Sequence, residues 1–297
     1  MFSYNAWFQF EIFETKNNFK FFAEEEFRRF EKNLSVKFSL NKNLREESFC
    51  VRGDLNGAQI EGGCEIGLLY GAYRLLFCLK RGEKFFDFSE SPVVSARVLN
   101  HWDNADGTVE RGYAGNSLFW RDGKIGYDLP RLKDYARLLA SVGINQISVN
   151  NVNVRPQTAK LLTDDGLEEL KKVAEIFRPF GIKLIIAVHF DSPVWIGGLK
   201  TSDPTCEKVS AFWNETASRV YKKIPDLAGF LIKADSEFQS GPNAFGQTQD
   251  VGANIIASAL SPHGGTLFWR CFIYNCQQDW RDTKTDRPKA AYETFFP

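Results

Sequence analysis

From residue 97 onward the chain alternates short apolar runs with amphipathic stretches, and this alternation most restricts the fold it can adopt. Apolar runs at 98–102, 144–150, 182–190, 227–233 and 266–274 read as buried strands. Between the first two, Leu132, Tyr135, Leu138, Leu139 and Val142 recur at helical spacing behind Asp128, a suitable N-cap. Between the next two, Leu167, Leu170, Val173, Ala174 and Phe177 repeat the pattern. Gly143 and Gly181 each follow a helix and precede a strand, where a left-handed C-terminal cap is expected. Strand–helix–strand order of this kind predicts a parallel sheet with right-handed crossovers. The strands recur about every 40 residues and no G-x-G-x-x-G follows the first, which favours a barrel over a dinucleotide-binding sheet. A closed (β/α)8 barrel takes roughly 250 residues. About 200 remain after residue 97, so residues 91–297 are expected to form an incomplete (β/α)8 TIM barrel of about five strands.

Residues 1–90 have a different texture and predict a small α+β domain. Partial alternation at 6–13 and 35–40 suggests half-buried strands, and 23–34 is a charged helix. Ile66, Leu69, Tyr70, Tyr73, Leu76 and Phe77 define one amphipathic helix. The charged stretch 80–95, with Pro92, reads as a linker between domains.

Composition narrows the partners. The 37 basic and 37 acidic residues cancel, which argues against a nucleic-acid partner. No apolar run is long enough to span a membrane, so no membrane partner is expected. The N-terminus lacks a basic region followed by an uninterrupted apolar one, which points to a cytoplasmic location. Cys50, Cys64, Cys78, Cys206, Cys271 and Cys276 show no C-x-x-C spacing and are expected to be free thiols. Most of the 27 Phe and 7 Trp belong to the core, although sugar clefts also use aromatic platforms.

Polar residues collect where the strands end. His101, Trp102, Asp103 and Asn104 follow the first strand, with Glu110 and Arg111 further along. Asn150, Asn151 and Asn153 follow the second; His189, Asp191 and Trp195 the third. Lys233, Asp235 and Glu237 follow the fourth, and the fifth carries Arg270 and Asn275. Parallel α/β folds put their chemistry at this end. An acid, two cations and an indole there suit a glycosidase acting on an acidic sugar. Glu237 would protonate a leaving oxygen, Arg270 offers a fork for a carboxylate, and Lys233 a point charge. Each also has a plainer reading: Glu237 as a cap or surface acid, Lys233 and Arg270 as ion-pair partners of Asp235 and Asp103, Trp102 as a barrel plug. His101, His189 and His263 read as structural, and the H-x-H of metal-dependent barrel hydrolases is absent.

Several of these segments carry a resemblance. The runs 99–104, 110–115, 150–153, 233–237 and 262–265, with Tyr4-Asn5-Ala6-Trp7 near the start, resemble the α-glucuronidases of glycoside hydrolase family 67. The likeness is in order along essentially the whole chain. It implies an N-terminal α/β domain, a (β/α)8 barrel and a helical C-terminal region. It also implies inverting hydrolysis of the α-1,2 bond between (4-O-methyl)glucuronic acid and xylose in xylooligosaccharides of xylan, with no cofactor. By the same resemblance Glu237 is the general acid, Lys233 and Arg270 contact the uronate, Trp102 lines the sugar pocket, and Asp103 and Asn153 are further pocket members.

Two departures accompany it. The family's carboxylates proposed as base lie on strands with no match here, so this chain alone is expected to be inactive or weak, with Glu110 and Asp191 as the local acids able to substitute. Phe238 stands where the family is expected to carry glycine. Two other readings stay open: a non-catalytic fragment that binds uronic acid or xylooligosaccharide, and a Schiff-base aldolase using Lys233. Five parallel strands without closure also leave edges at 98–102 and 266–274, through which self-association is expected.

Overall fold

The computed structural model describes residues 20–236 and 239–270. These fall in two compact units, divided after Ser95.

The first unit runs α1 (Phe22–Phe30), β1 (Val36–Leu40), β2 (Phe49–Asp54), β3 (Gly57–Gly62), α2 (Glu65–Lys80) and β4 (Phe85–Glu90). Its sheet has the order β1-β3-β2-β4, with β1 and β3 parallel and the other pairs antiparallel. Two expectations change here. The stretch 80–95 is not a linker: β4 pairs with β2 along its whole length. Its Phe86 is buried while Phe85 and Asp87 on either side are exposed, a period of two masked because an apolar residue stands on each face. Nor is α2 one-sided. Leu68, Leu69, Ala72, Tyr73, Leu75, Leu76 and Cys78 are all buried, because α1 packs on the helix as well as the sheet. Tyr73 Oη donates to the buried Glu26 carboxylate of α1 at 3.0 Å. The strand expected at 6–13 lies outside the described residues.

The second unit is mixed α/β around a curled, five-stranded parallel sheet. It begins with β5 (Val98–Leu99), the hairpin β6 (Trp120–Arg121) and β7 (Lys124–Ile125), and α3 (Leu129–Ser141). Then come β8 (Gln146–Ser148), α4 (Pro156–Ala159), α5 (Asp164–Phe177), β9 (Lys183–Val188), α6 (Ser192–Trp195) and α7 (Glu207–Lys223). It closes with β10 (Gly229–Lys233), α8 (Gln249–Leu260) and β11 (Thr266–Arg270). The order β11-β10-β9-β8-β5 follows the chain and every pairing is parallel. All five expected strands are present, shorter than their apolar runs; residues 271–274 of the last lie outside the described residues.

The helices form for the anticipated reasons. Asp128 caps α3 by accepting from the Arg131 amide at 2.8 Å, and Thr163 caps α5. The five apolar residues of the α5 stripe are all buried. In α3 one stripe member departs: Val142 lies beyond the last helical residue and is 62% exposed. Gly143 and Gly181 adopt φ of +78° and +72°, reversing the chain into β8 and β9. Gly229 opens β10 at φ +149°, where a Cβ would stand 1.8 Å from the Thr266 carbonyl oxygen.

Alternation along the strands separates two faces. The outer one packs on helices, as with Phe230 against Trp213 of α7. The inner one carries Ile185, Ala187 and Leu231 in a buried cluster with Val152 and Val154, against which Val98, Trp102 and Phe268 pack. Two residues beyond Leu231 and Phe268, on that same inner side, come Lys233 and Arg270.

Candidate active site

Lys233 and Arg270 are register partners, each the last residue of its strand. The apolar cluster lies beneath them, so their charges sit above a floor that cannot solvate them. Lys233 is 1% exposed and donates from Nζ to Asn153 Oδ1 at 2.7 Å. The Arg270 guanidinium lies 5.2 Å from the centre of the Trp102 ring, a cation–π arrangement. Trp102 follows β5, the edge opposite β11. A flat sheet of five strands would separate those edges by about 19 Å. Contact at 5.2 Å therefore requires the sheet to curl, and the curl brings residues 168 positions apart in sequence to one point.

The segment carrying Trp102 is held from several sides. The His101 amide donates to Ser148 Oγ at 2.7 Å. The Ser148 carbonyl accepts from His101 Nδ1 at 2.8 Å, so Nε2 accepts from the Tyr135 hydroxyl at 2.5 Å. Burial pushes the His101 imidazole below its ordinary range, with Asp103 pulling the other way. The Asp103 carboxylate, 2% exposed, accepts from Ser117 Oγ at 2.5 Å and the Leu118 amide at 3.0 Å. The Asn151 amide donates to the Asp103 carbonyl at 2.7 Å, and Asn151 Nδ2 to Asn104 Oδ1 at 2.9 Å. Asn104 in turn donates to the Glu110 carbonyl at 2.8 Å. The loop is thus cross-braced from β5 to residue 118.

Beside Asn153 opens a cleft of about 840 Å³, whose lining includes Asn104, Glu110, Arg111, Asn151, Arg155 and Gln239. Its size and polar lining suit a hydroxyl-rich ligand larger than one sugar ring. Arg155 lies in it, close enough to contribute to holding the Asp106 carboxyl below its usual range, after the bonds that carboxyl accepts from Thr108. Among the described residues no group of three or more His, Cys, Asp or Glu side chains forms a metal-ligand set.

The family model described as glycosyl hydrolase family 67 middle domain matches residues 79–297. The chain belongs to glycosyl hydrolase family 67. A probable alpha-glucuronidase A of Aspergillus terreus is 44% identical over 272 residues, covering 91% of this chain and 32% of the relative. The alpha-glucuronidase A of Aspergillus tubingensis is 42% identical over 253 residues, covering 85% of this chain and 30% of the relative. The chain thus spans about a third of the length of these relatives. Among solved structures, a GH138 enzyme targeting pectin rhamnogalacturonan II superposes with a TM-score of 0.55 at 16% identity, covering 82% of this chain and 31% of that one. A GH20 exo-β-N-acetylglucosaminidase from Vibrio harveyi gives 0.52 at 15%, covering 83% and 48%. These two show likeness of fold alone.

Of the site residues expected from sequence, the sheet brings Trp102, Asn153, Lys233 and Arg270 together, and Asp103 lies beside Trp102 with its carboxylate turned to residues 117 and 118. Glu237 lies outside the described residues. Glu110 lines the cleft. Asp191 instead has its amide on His189 Nδ1 at 2.9 Å, and His189 stacks on Trp195 at 3.8 Å. His263 stacks on Tyr221 at 4.8 Å, away from the cations. The Asp235 carboxylate, read as an ion-pair partner for Lys233, accepts from the Asn243 amide at 3.1 Å and from the Gln249 side chain. Gln249, Arg155 and Tyr135 were missed. Only Arg155 had a signal, a cation two residues past Asn153.

Proposed function

We propose that this chain contributes the uronate-binding and proton-donating part of an α-glucuronidase site, built on the first five strands of a (β/α)8 barrel that follows an α+β domain at 1–90. The substrate is a xylooligosaccharide bearing (4-O-methyl)glucuronic acid, and the bond cleaved is the α-1,2 link to xylose, with inversion. The observation that carries this is the pair of adjacent cations, Lys233 and Arg270, with an indole face beside them and a polar cleft next door.

A uronic acid differs from its neutral sugar by one carboxylate. Arg270 supplies two parallel N–H donors to it and Lys233 a charge held by a neutral amide oxygen. Trp102 takes the apolar face of the pyranose. Asp103 acts on Trp102 through the loop it braces, and Asn153 acts through Lys233. Glu237, two residues past Asp235, gives its proton to the leaving xylose oxygen. Inversion needs a second carboxylate about 6.5–9.5 Å from the first to activate water; Glu110 lines the cleft, as does Asp106. No cofactor enters this chemistry. Self-association through the edges at β5 and β11 belongs to the same reading.

Calorimetric titration with D-glucuronate and with D-glucose tests the proposal. Preference for glucuronate that disappears when Lys233 and Arg270 are both replaced by methionine is expected. Equal binding of the two sugars would overturn it.

A further inference from the structure

We propose that Asp235, Gln249 and Trp269 form a positioning relay that ties the loop after β10 to the end of β11 and thereby fixes the spacing of Lys233 and Arg270. The proposal rests on reading those two cations as the uronate clamp.

The relay is oriented by elementary hydrogen-bond chemistry. An indole N–H can only donate. Trp269 Nε1 donates to Gln249 Oε1 at 2.8 Å, so the Gln249 amide must turn its NH2 the other way. It meets Asp235 Oδ2 there, and the same oxygen accepts from the Asn243 amide at 3.1 Å. Asp235 holds φ at +51°, a region that few non-glycine residues enter and that Asp and Asn tolerate best. Gly241 closes the other side: a Cβ there would stand 2.5 Å from the Asp235 carboxyl.

Placement gives the relay its purpose. Trp269 is the outward neighbour of inward Arg270, and Asp235 lies two residues past Lys233. Gln249 opens α8, the helix that joins the two strands on the outside. The three residues therefore grip both strand ends from behind the sheet, while the cations project from its front. Arg270 and Lys233 present their charges to one carboxylate only if those ends keep their register.

The relay uses Asp235 as a hydrogen-bond acceptor, not as a counter-charge. Burial already pushes its carboxyl up from the ordinary range, against the two bonds that hold it down. Asparagine keeps an acceptor oxygen and tolerates positive φ; alanine does neither. Charge and geometry thus predict opposite results for one substitution.

The test uses the 297-residue chain labelled with ¹⁵N at its indole nitrogens, the Trp269 resonance being assigned through Trp269→Phe. Asp235→Asn should leave that resonance near its wild-type position and glucuronate affinity within about threefold. Asp235→Ala should move the resonance and weaken glucuronate about tenfold, D-glucose binding staying unchanged. Asp235→Asn losing as much affinity as Asp235→Ala would overturn the acceptor role. A Trp269 resonance unmoved in Asp235→Ala would overturn the relay without reference to any ligand. Wild-type chain binding glucuronate no better than glucose would overturn the clamp, and with it the relay's purpose, even where the resonance responds. Gln249→Leu repeats the measurement from the middle of the relay.

Discussion

Replacing Arg270 with lysine keeps the charge and removes the geometry, so the cost measures what the guanidinium does. Two contributions are at stake. One is the arrangement over Trp102, with the guanidinium 5.2 Å from the ring centre in a half-buried setting; such contacts are worth about 0.5–2 kcal/mol. The other is the second N–H···O bond to a uronate carboxylate, which an ammonium cannot make in the same plane; a bond to a charged acceptor is worth about 1.5–3 kcal/mol. Together they predict a loss of about 2–5 kcal/mol in glucuronate binding, a factor of roughly thirty to several thousand. Titration calorimetry with D-glucuronate reads it, and D-glucose serves as control because it lacks the carboxylate. A cycle with Trp102→Phe isolates the ring contact, with an expected coupling of about 0.5–1 kcal/mol. Two results would refute the reasoning: equal weakening of both sugars, or full glucuronate affinity in the lysine variant.

In a chain extended by the family's C-terminal part, Glu237→Gln should fold normally and lose most turnover on aldouronic acids. The loss should be least for aryl glucuronides with good leaving groups, which need little protonation; equal losses across leaving groups would remove Glu237 from the acid role. His189 is held down to about 4, mainly by burial and partly offset by Asp191. As pH falls from 6.5 the unfolded chain binds a proton that the folded chain refuses, so stability should drop until about pH 4 and then level off, by about 3 kcal/mol at most. His189→Gln should flatten that limb of a Tm-against-pH curve, and an unchanged limb would assign the acid sensitivity elsewhere. Gly229→Ala should destabilise by about 3 kcal/mol or more, because positive φ and the Thr266 carbonyl both oppose a Cβ; a melt within a degree of wild type would refute the close approach.

The strands of the second unit were legible because β9 and β10 are buried on both faces, and burial of that kind writes itself as unbroken apolar runs. The α5 stripe was legible because one face alone is buried. In the first unit β2, β3 and β4 escaped notice. Arg52-Gly53-Asp54 and the glycines at 57 and 62 dilute any alternation, and pairing across the sheet decides these strands. The cations and Trp102 could be read from position at the strand ends. The pairings among the site residues could not: Asn153 reaches Lys233 from 80 residues away, and His101 meets Tyr135 from 34. Separations of that size leave no local spacing to detect.

Arg270 ends the last strand of the sheet and Trp102 follows the first, so their contact is a chord drawn across an arc. A ligand held by both would fasten the two ends of that arc together. No partly assembled intermediate, whether lacking β5 or lacking β11, can offer the pair. Occupancy therefore certifies that the whole arc has formed, and ligand should raise the melting temperature of the unit as one cooperative body.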